Sequence, residues 1–289
     1  MKNVKLLVTQ FKTKYWPLFK SLQTTLLLVT GIAGYLSARP EDTSSGRLLS
    51  VAGSLFLAIG GSTVLNMWYD RDIDAVMKRT CTRPLAAHKI PPHQALIIGI
   101  MTSLFGVSWA LLISPLYGVV VFAGLFFDVA IYTIWLKRRS AWSIVWGGIS
   151  GGMPVLAGRT LATGEIDGIG IALTLAILFW IPTHILTFNM RHFDDYQAAG
   201  IPTFPSKYGF QPTRVIIAIS SILAALAMGL AAYWVGTSAG ALRLLTVLGT
   251  GLLILSLTSI ARPSNKLNFS LFKFASLYML VAMLLLVAG

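Results

Sequence analysis

Long apolar stretches, separated by short polar segments, follow one another along the whole chain. Each is close to the ~20 residues that a helix needs to cross the hydrocarbon core of a bilayer. They lie near 18–38, 48–67, 94–113, 115–135, 141–160, 168–189, 212–234, 239–260 and 270–288. The pattern predicts an all-α polytopic membrane protein, a bundle of about nine transmembrane helices. Only Ser114 and Pro115 separate the third and fourth stretches, so one long kinked helix is the alternative there.

The composition supports a single membrane domain over residues 1–289. Hydrophobic residues make up 55% of the chain and charged residues 11%, whereas a soluble domain carries about 25% charged residues. No soluble insertion or change of composition divides the chain. Four lysines precede the first full-length stretch, a start unlike that of a cleavable signal peptide. The single cysteine, Cys81, excludes an internal disulfide.

The net charge of +13 raises the question of a nucleic-acid partner, and the distribution of the charge argues against one. If all nine stretches span the membrane, every lysine and arginine lies on one side except Arg39, Arg47, Arg159 and Arg243. The positive-inside rule then predicts a protein of the cell (inner) membrane with its N-terminus in the cytoplasm and its C-terminus outside. Topology and anionic membrane lipid account for the basic charge without nucleic acid.

Two loops on the basic side carry half of the acidic residues. These loops, 68–93 and 190–211, are the longest segments between the apolar stretches. Their acidic residues are Asp70, Asp72, Asp74, Asp194 and Asp195. Solvated loop acids would be scattered, whereas these are clustered on the positive face. We therefore expect the two loops to approach one another over a single cavity on the cytoplasmic side.

One polar stripe lies at the end of the second apolar stretch and consists of Asn66, Asp70 and Asp74. Each step of four residues rotates a helix by roughly 400°, so these side chains drift by only ~40° per step. Mg²⁺ usually takes one or two carboxylates and completes its octahedron with water and substrate phosphates. The stripe therefore predicts metal-assisted chemistry on a phosphorylated ligand; the alternative is a helix end held by local ion pairs. Asp72 lies ~200° from Asp70, and its expected partner is Arg71 or Lys78.

Several segments carry a resemblance to a known family. Asn66, Asp70 and Asp74 match N-x-x-x-D-x-x-x-D, the first motif of the UbiA superfamily of intramembrane prenyltransferases. Within it, D-R-D-I-D at 70–74 and R-P-L at 83–85 resemble the heme O synthases (protoheme IX farnesyltransferases). The resemblance covers about 15 to 285 and includes I-Y-T-I-W-L-K-R-R at 131–139, I-V-W-G-G-I-S-G-G-M-P-V-L-A-G at 144–158 and D-D-Y-Q-A-A-G-I-P at 194–202.

The chain departs from the family pattern in two places. Many superfamily members place a second D-x-x-x-D before the glycine of the second loop. Here those positions hold His192 and Tyr196, with Asp194 and Asp195 between them, and heme O synthases share the D-Y pattern. The family's P-P-H-F-W stretch appears as P-T-H-I-L, which keeps His184 but loses the second proline and both aromatic residues.

The resemblance implies nine helices around a central cavity and an enzyme that depends on Mg²⁺. It implies farnesyl diphosphate as the donor and the vinyl group of protoheme IX as the acceptor, in membrane lipid. Asp70, Asp74 and Asp194 would hold the metal, and Asn66 and Asp195 would assist them. The residues that would bind the diphosphate or line its site are Lys78, Arg79, Arg83, Arg191, Lys207 and Tyr196.

Three side chains inside the predicted spans have two interpretations each. Asp128 lies well inside the fourth span, where a charge is expensive and usually marks a cavity or pathway. Tyr132 follows one turn later, so the two are either part of a satisfied interhelical hydrogen bond or a polar wall of the acceptor pocket. His184 lies inside the sixth span. It is either a buried hydrogen-bonding group or, as the resemblance implies, a polar contact or axial iron ligand of the porphyrin.

Two alternatives to heme farnesylation stay open. The same aspartate motif would serve a prenyltransferase whose acceptor is a quinone precursor or a lipid glycerol phosphate. A transporter or ion-binding protein would instead spread ionisable groups through its spans. Here Asp128 is the one acidic residue well inside a predicted span, which favours the enzyme.

Overall fold

The computed structural model describes residues 14–288, and in that range the chain is helical and has no β-strand. The described helices of 16 residues or more are α1 (Ser21–Leu36), α2 (Ser45–Tyr69), α3 (Pro92–Ile113), α4 (Pro115–Leu136), α5 (Ser143–Thr163), α6 (Gly168–Arg191), α7 (Phe210–Val235), α8 (Ala239–Ala261) and α9 (Asn265–Ala288). Each predicted apolar stretch corresponds to one of them, so the all-α fold class is confirmed. Lys2, Lys5 and Lys12, which the charge pattern assigns to the cytoplasmic side, lie outside the described residues.

The length and hydropathy of these helices identify an integral membrane protein. Seven of the described helices are long and apolar enough to cross a bilayer, and α1 contributes a shorter apolar helix. The remaining long helix, α5, is 21 residues long and rich in glycine. It contacts α1, α4 and α6, so protein rather than lipid surrounds much of its surface.

Glycine lets α1 and α5 approach one another closely. A Cβ added at Gly158 would lie 1.9 Å from the carbonyl oxygen of Gly31, and one added at Gly34 would lie 2.1 Å from the carbonyl oxygen of Val155. No larger residue fits at either contact without moving backbone. Small residues at helix crossings are a general way to pack helices in membranes, where helix association gains little from the hydrophobic effect.

The third and fourth stretches are two separate helices. Ser114, between α3 and α4, has an extended backbone with φ −161° and ψ 132°. A Cβ added at Gly118 would lie 2.6 Å from the Cα of Leu111. Two residues seven apart in a continuous helix would be about 10 Å apart along the axis, so the chain reverses here. The alternative of one long kinked helix is wrong.

The second half of α4, Phe127–Leu136, is a π-helix rather than an α-helix. The N–H of Lys137 donates to the carbonyl oxygen of Tyr132 at 2.8 Å, five residues back. In an α-helix, the nine residues from Asp128 to Lys137 would make about two and a half turns, and these side chains would face opposite ways. Each π turn takes up about one residue more, so nine residues make roughly two turns. Asp128 and Lys137 consequently face the same neighbour, α2.

The loops that follow α2 and α6 contain short helices of their own. The first loop holds Arg71–Val76, and the second holds Phe193–Ala198 and Phe204–Tyr208. The ends of α2, α4 and α6 converge at this end of the bundle. The two largest apolar clusters among the described residues are formed mainly by α1 to α5 and mainly by α5 to α9.

Candidate active site

The two aspartates of the polar stripe are buried where α2 ends. Asp70 lies between α2 and the short helix Arg71–Val76, and its N–H donates to the carbonyl oxygen of Asn66 at 3.0 Å. The N–H of Asp74 donates in turn to the carbonyl oxygen of Asp70 at 2.8 Å, so the helical winding continues through the junction. The exposed fractions of Asp70 and Asp74 are 2% and 3%. Buried carboxylates require partners, because an isolated buried charge is very costly.

Basic residues supply those partners. Lys137, at the end of α4, forms an ion pair with Asp70. In the first loop, Nη1 of Arg83 donates to both carboxylate oxygens of Asp74, at 2.8 and 2.7 Å. Among the described residues, no donor makes a hydrogen bond with Oδ1 of Asp70, which is buried; Nη2 of Arg138 lies 3.8 Å from it. This oxygen is therefore available to a ligand.

This arrangement fits a hard divalent cation that binds together with a phosphorylated ligand. A buried carboxylate oxygen without a hydrogen bond is the kind of ligand that Mg²⁺ takes, and Mg²⁺ needs only one or two protein carboxylates when substrate phosphates complete its shell. Within residues 14–288, no three histidine, cysteine, aspartate or glutamate side chains form a ready cluster for a metal. The site thus consists of two carboxylates, each of which forms an ion pair with a basic side chain.

Asn66 has a partner deeper in the membrane. Its Nδ2 donates to Oδ2 of Asp128 at 3.2 Å, and the hydroxyl of Ser62 donates to the same carboxylate oxygen. Ser62 and Asn66 lie one turn apart on α2, and Asp128 lies on the π-helical part of α4. The interhelical hydrogen bond expected as one interpretation of Asp128 is present.

The second loop contacts the first, as predicted. The carboxylate of Asp195 accepts hydrogen bonds from the backbone N–H groups of Lys78 at 3.2 Å and Arg79 at 3.4 Å. Beneath these bonds, apolar side chains of the two loops form one small cluster. Its members are Ile73, Met77, Ile201, Tyr196 and Ala199. The two acidic loops approach one another as expected, and a single cavity shared by them stays a prediction.

Asp194 does not share these contacts with its neighbour. It is exposed and lines a separate cavity of about 560 Å³ near the start of α7 and α9, together with His192, Phe210 and Asn268. Successive residues of a helix point ~100° apart, so only one of the two acids faces the first loop. That residue is Asp195, and a metal-binding role for Asp194 stays a prediction.

Tyr132 and Tyr196 lie beside the basic residues of the site. Nζ of Lys137 lies 5.8 Å from the centre of the Tyr132 ring. Burial raises the pKa of the Tyr196 phenol, while the charges of Arg79, Lys137 and Arg83 act to lower it. Tyr196 belongs to the second loop and Lys137 to α4, so this electrostatic coupling joins the second loop to the Asp70 side of the site.

Asp72 pairs with a residue that the sequence did not indicate. Nη1 and Nη2 of Arg138 donate to its two carboxylate oxygens at 2.7 and 2.6 Å, in the two-pronged geometry typical of strong arginine–carboxylate pairs. These hydrogen bonds hold the pKa of Asp72 at about 2. The expected pairing with Arg71 or Lys78 is wrong, because Nη1 of Arg71 donates to the carbonyl oxygen of Trp68 and the side chain of Lys78 is exposed.

Lys20 is a further site residue that sequence reasoning missed, together with Lys137 and Arg138. It directly precedes α1 and is partly buried. Burial, together with the charges of Arg83 and Lys137, lowers its pKa to about 8. The K-R-R that ends the segment 131–139 was a usable signal for the α4 residues. Nothing in the sequence distinguished Lys20 from the other N-terminal lysines, so it carried no such signal.

The four other basic residues expected to bind the diphosphate are exposed, and three of them lie over aromatic rings. The guanidinium carbons of Arg79 and Arg191 lie 4.9 Å from the ring centre of Phe188 and 3.9 Å from that of Phe269. Nζ of Lys207 lies 5.5 Å from the ring centre of its neighbour Tyr208, and the side chain of Lys78 is exposed. None of the four forms an ion pair with Asp70 or Asp74 among the described residues.

His184 lies between two aromatic rings. Its ring centre is 4.8 Å from that of Trp180 and 4.5 Å from that of Phe272, and Nδ1 lies 3.1 Å from the hydroxyl of Ser276. That hydroxyl donates its only hydrogen to the carbonyl oxygen of Phe272 at 3.0 Å. With that hydrogen engaged, the imidazole would donate from Nδ1 and keep a lone pair on Nε2.

The chain matches known proteins over most of its length. Residues 27–281 match the UbiA prenyltransferase family. A protein of Archaeoglobus fulgidus named protoheme IX farnesyltransferase is 39% identical over 230 residues, which cover 76% of this chain and 80% of that protein. A protein of the same name from Thermofilum pendens is 38% identical over 218 residues, 75% of each chain. One from Symbiobacterium thermophilum is 37% identical over 223 residues, 77% of this chain and 74% of that one.

Solved structures share the fold. One from work on digeranylgeranylglyceryl phosphate synthase has a TM-score of 0.80 at 18% identity and covers 96% of this chain and 97% of that one. A UbiA homologue from Archaeoglobus fulgidus bound to DMAPP and Mg²⁺ has a TM-score of 0.70 at 14% identity, covering 94% of this chain and 99% of that one. With a matched motif, a matched fold and relatives near 40% identity, the chain belongs to the UbiA prenyltransferase family.

Proposed function

We propose that this membrane protein transfers a farnesyl group from farnesyl diphosphate to a vinyl group of protoheme IX and so forms heme O. The observation that carries the proposal is the joint occurrence of the buried Asp70–Asp74 site and relatives named protoheme IX farnesyltransferase at 37–39% identity. A UbiA homologue of the same fold has been solved with DMAPP and Mg²⁺, which supports a prenyl diphosphate and a divalent metal here.

The carboxylates and cations of the site suit a diphosphate ligand. Asp70 and Asp74 would hold Mg²⁺, with Asp194 or Asp195 as a further acidic residue from the second loop. The chemistry that Mg²⁺ would supply there is positive charge, which would offset the charge that develops on the leaving group. Lys137 and Arg83, which form ion pairs with the carboxylates, would turn to diphosphate oxygens that offer the same negative charge.

The chain's residues then have to accommodate a cation. As the C1–O bond of the donor breaks, the bonding electrons leave with the diphosphate, where Lys137, Arg83 and Lys20 stabilise the added charge. Tyr132 and Tyr196 lie next to these groups, and their ring faces can stabilise the allylic cation. The vinyl group attacks that cation, and water adds to the resulting porphyrin-side cation with loss of a proton, which leaves a hydroxyl group.

His184 is the chain's candidate for holding the porphyrin. Rings cover both faces of its imidazole, and Ser276 engages Nδ1, so Nε2 is the one ring atom with a lone pair for iron. A neutral imidazole nitrogen is a suitable axial ligand. His184 lies about two turns before the end of α6, roughly 10 Å along the helix axis, so a porphyrin held there lies deeper than the diphosphate.

The experiment that tests the proposal is expression of this chain in cells that lack a heme O synthase, followed by mass spectrometry of the extracted heme. We expect a hydroxyethylfarnesyl increment on protoheme IX, and no such product from the Asp70→Asn variant expressed at the same level. A prenylated quinone precursor or prenylated lipid with unmodified heme would contradict the proposal and identify the acceptor. The same extract reports the length of the donor chain.

A further inference from the structure

Asp128 is an acidic residue within a membrane span that the proposed diphosphate contacts do not use. Its Oδ2 accepts hydrogen bonds from Asn66 Nδ2 at 3.2 Å and from the hydroxyl of Ser62. Ser62 is buried, with an exposed fraction of 5%. On its own helix, the backbone carbonyl of Asp128 accepts a hydrogen bond from the hydroxyl of Thr133 at 2.7 Å. The carboxylate is therefore held by two donors of α2, while Thr133 bonds the backbone carbonyl of the same residue.

The chemistry of a carboxylate determines how the Asn66 side chain is turned. An ionised carboxylate only accepts hydrogen bonds, whereas an amide has a donating nitrogen and an accepting oxygen. Asn66 must therefore direct Nδ2 toward Asp128, and Oδ1 turns away from it. Oδ1 is the only atom of this side chain that can bind a hard cation, because such cations take oxygen ligands.

We propose that Asp128 is a positioning residue that fixes the Asn66 amide with its oxygen toward the metal–diphosphate site. The π-helix contributes to this, because it brings Asp128 and Lys137 to the same side of α4, where one contacts Asn66 and the other Asp70. The inference rests on the proposed function and deepens it. It assigns Asp128 to the donor side of the reaction rather than to a wall of the acceptor pocket.

A titration that needs no turnover tests this role. Purified protein would be titrated with Mn²⁺ in the presence of farnesyl thiodiphosphate, an unreactive donor analogue, and metal affinity would be measured by calorimetry. In Asp128→Asn, the new amide can donate to Asn66 Oδ1. That oxygen would then point toward position 128 and away from the metal. We expect metal affinity to fall about 10-fold or more, as it does when groups that orient a metal ligand are removed. Ser62→Ala, which keeps the Asn66–Asp128 bond, is the matched control and should stay near wild type.

The decisive variant exchanges the two residues, Asn66→Asp with Asp128→Asn. The amide at position 128 then donates to the carboxylate at position 66, which keeps one oxygen for the metal, and net charge is unchanged. We expect this variant to bind metal more tightly than Asp128→Asn alone.

Wild-type metal affinity in Asp128→Asn, or no recovery in the exchanged variant, would overturn the inference. So would a loss of heme affinity, read from the heme absorption band, without a loss of metal affinity. If the wild type itself binds no metal with the thiodiphosphate, the proposed function fails and takes this inference with it. If the wild type binds both and farnesylates heme while Asp128→Asn is normal, only the positioning role fails.

Discussion

Replacement of Asp70 by asparagine is the sharpest test of the candidate site. The side chain is 2% exposed, and its Oδ1 is buried without a hydrogen bond among the described residues. If this oxygen binds the metal that stabilises the leaving diphosphate, its loss removes one preorganised electrostatic contact from the transition state. Such a contact is worth about 2.7–4 kcal/mol, or about 10²–10³-fold in rate. We therefore expect Asp70→Asn to lower turnover by at least this order when Mg²⁺ is not in excess.

The same substitution should leave the protein folded. An asparagine oxygen can still accept a hydrogen bond from Lys137, whose side chain is 18% exposed. We expect a loss of about 1–3 kcal/mol in stability, typical of a weakened buried hydrogen bond. The reverse change, Lys137→Met, leaves the buried carboxylate with only Arg138 at 3.8 Å and should cost more, about 3–5 kcal/mol. Thermal unfolding of both variants in the same detergent compares these two costs.

Asp72→Asn is the matched control, because it removes an acid from the same loop. The Asp72 side chain is 61% exposed and its partner is Arg138. An exposed ion pair is worth up to about 1 kcal/mol, and Asp72 offers no buried oxygen to a metal, so activity should stay within about fivefold of wild type. Product formation from farnesyl diphosphate at several Mg²⁺ concentrations is the assay. Full activity in Asp70→Asn, or an equal loss in Asp72→Asn, would refute the assignment of Asp70 as the critical ligand.

Three further outcomes are expected. His184→Ala should weaken heme binding and shift the heme absorption band, with diphosphate binding unchanged. Ser276→Ala should have the same effects to a smaller extent. Normal heme affinity in His184→Ala would show that His184 is a packing residue. Because burial lowers the pKa of Lys20 to about 8, its charge is present below pH 8 and lost above it. Diphosphate affinity should fall from pH 8 to 9, and Lys20→Met but not Lys14→Met should abolish that dependence; an unchanged pH profile in Lys20→Met would exclude the role. Cys81 is free and exposed, so a membrane-impermeant maleimide should label it in inside-out vesicles only; labelling in right-side-out vesicles would reverse the proposed topology.

Much of the fold and part of the site could be predicted because their signals are local in the sequence. A membrane span has a fixed length and must be apolar, so counting residues located each helix. The stripe of Asn66, Asp70 and Asp74 depends only on helical spacing, which continues through the junction at Asp70. The two acidic loops were expected to meet because acidic residues clustered on a basic face indicate a shared site. Asp195 makes that contact.

The partners of these residues were less accessible to sequence reasoning. Arg138 pairs with Asp72 across 66 positions of sequence, and Lys137 with Asp70 across 67. Such pairings depend on how helices pack, and many lysines and arginines on the same face compete for each acid. An apolar stretch also looks the same whether it winds as an α-helix or a π-helix. The alignment of Asp128 with Lys137 was therefore hidden, and with it the contact between Asp128 and Asn66.

The π-helical part of α4 makes the site sensitive to how that span winds, as well as to which residues it contains. If the nine steps from Asp128 to Lys137 wound as an α-helix, the two side chains would point about 180° apart. Lys137 and Asp128 would then no longer face α2 together, although every polar residue of the site would still be present. Substitutions in this stretch change one contact at a time, whereas a change of winding displaces both. The backbone of this segment is consequently as much a part of the site as its side chains.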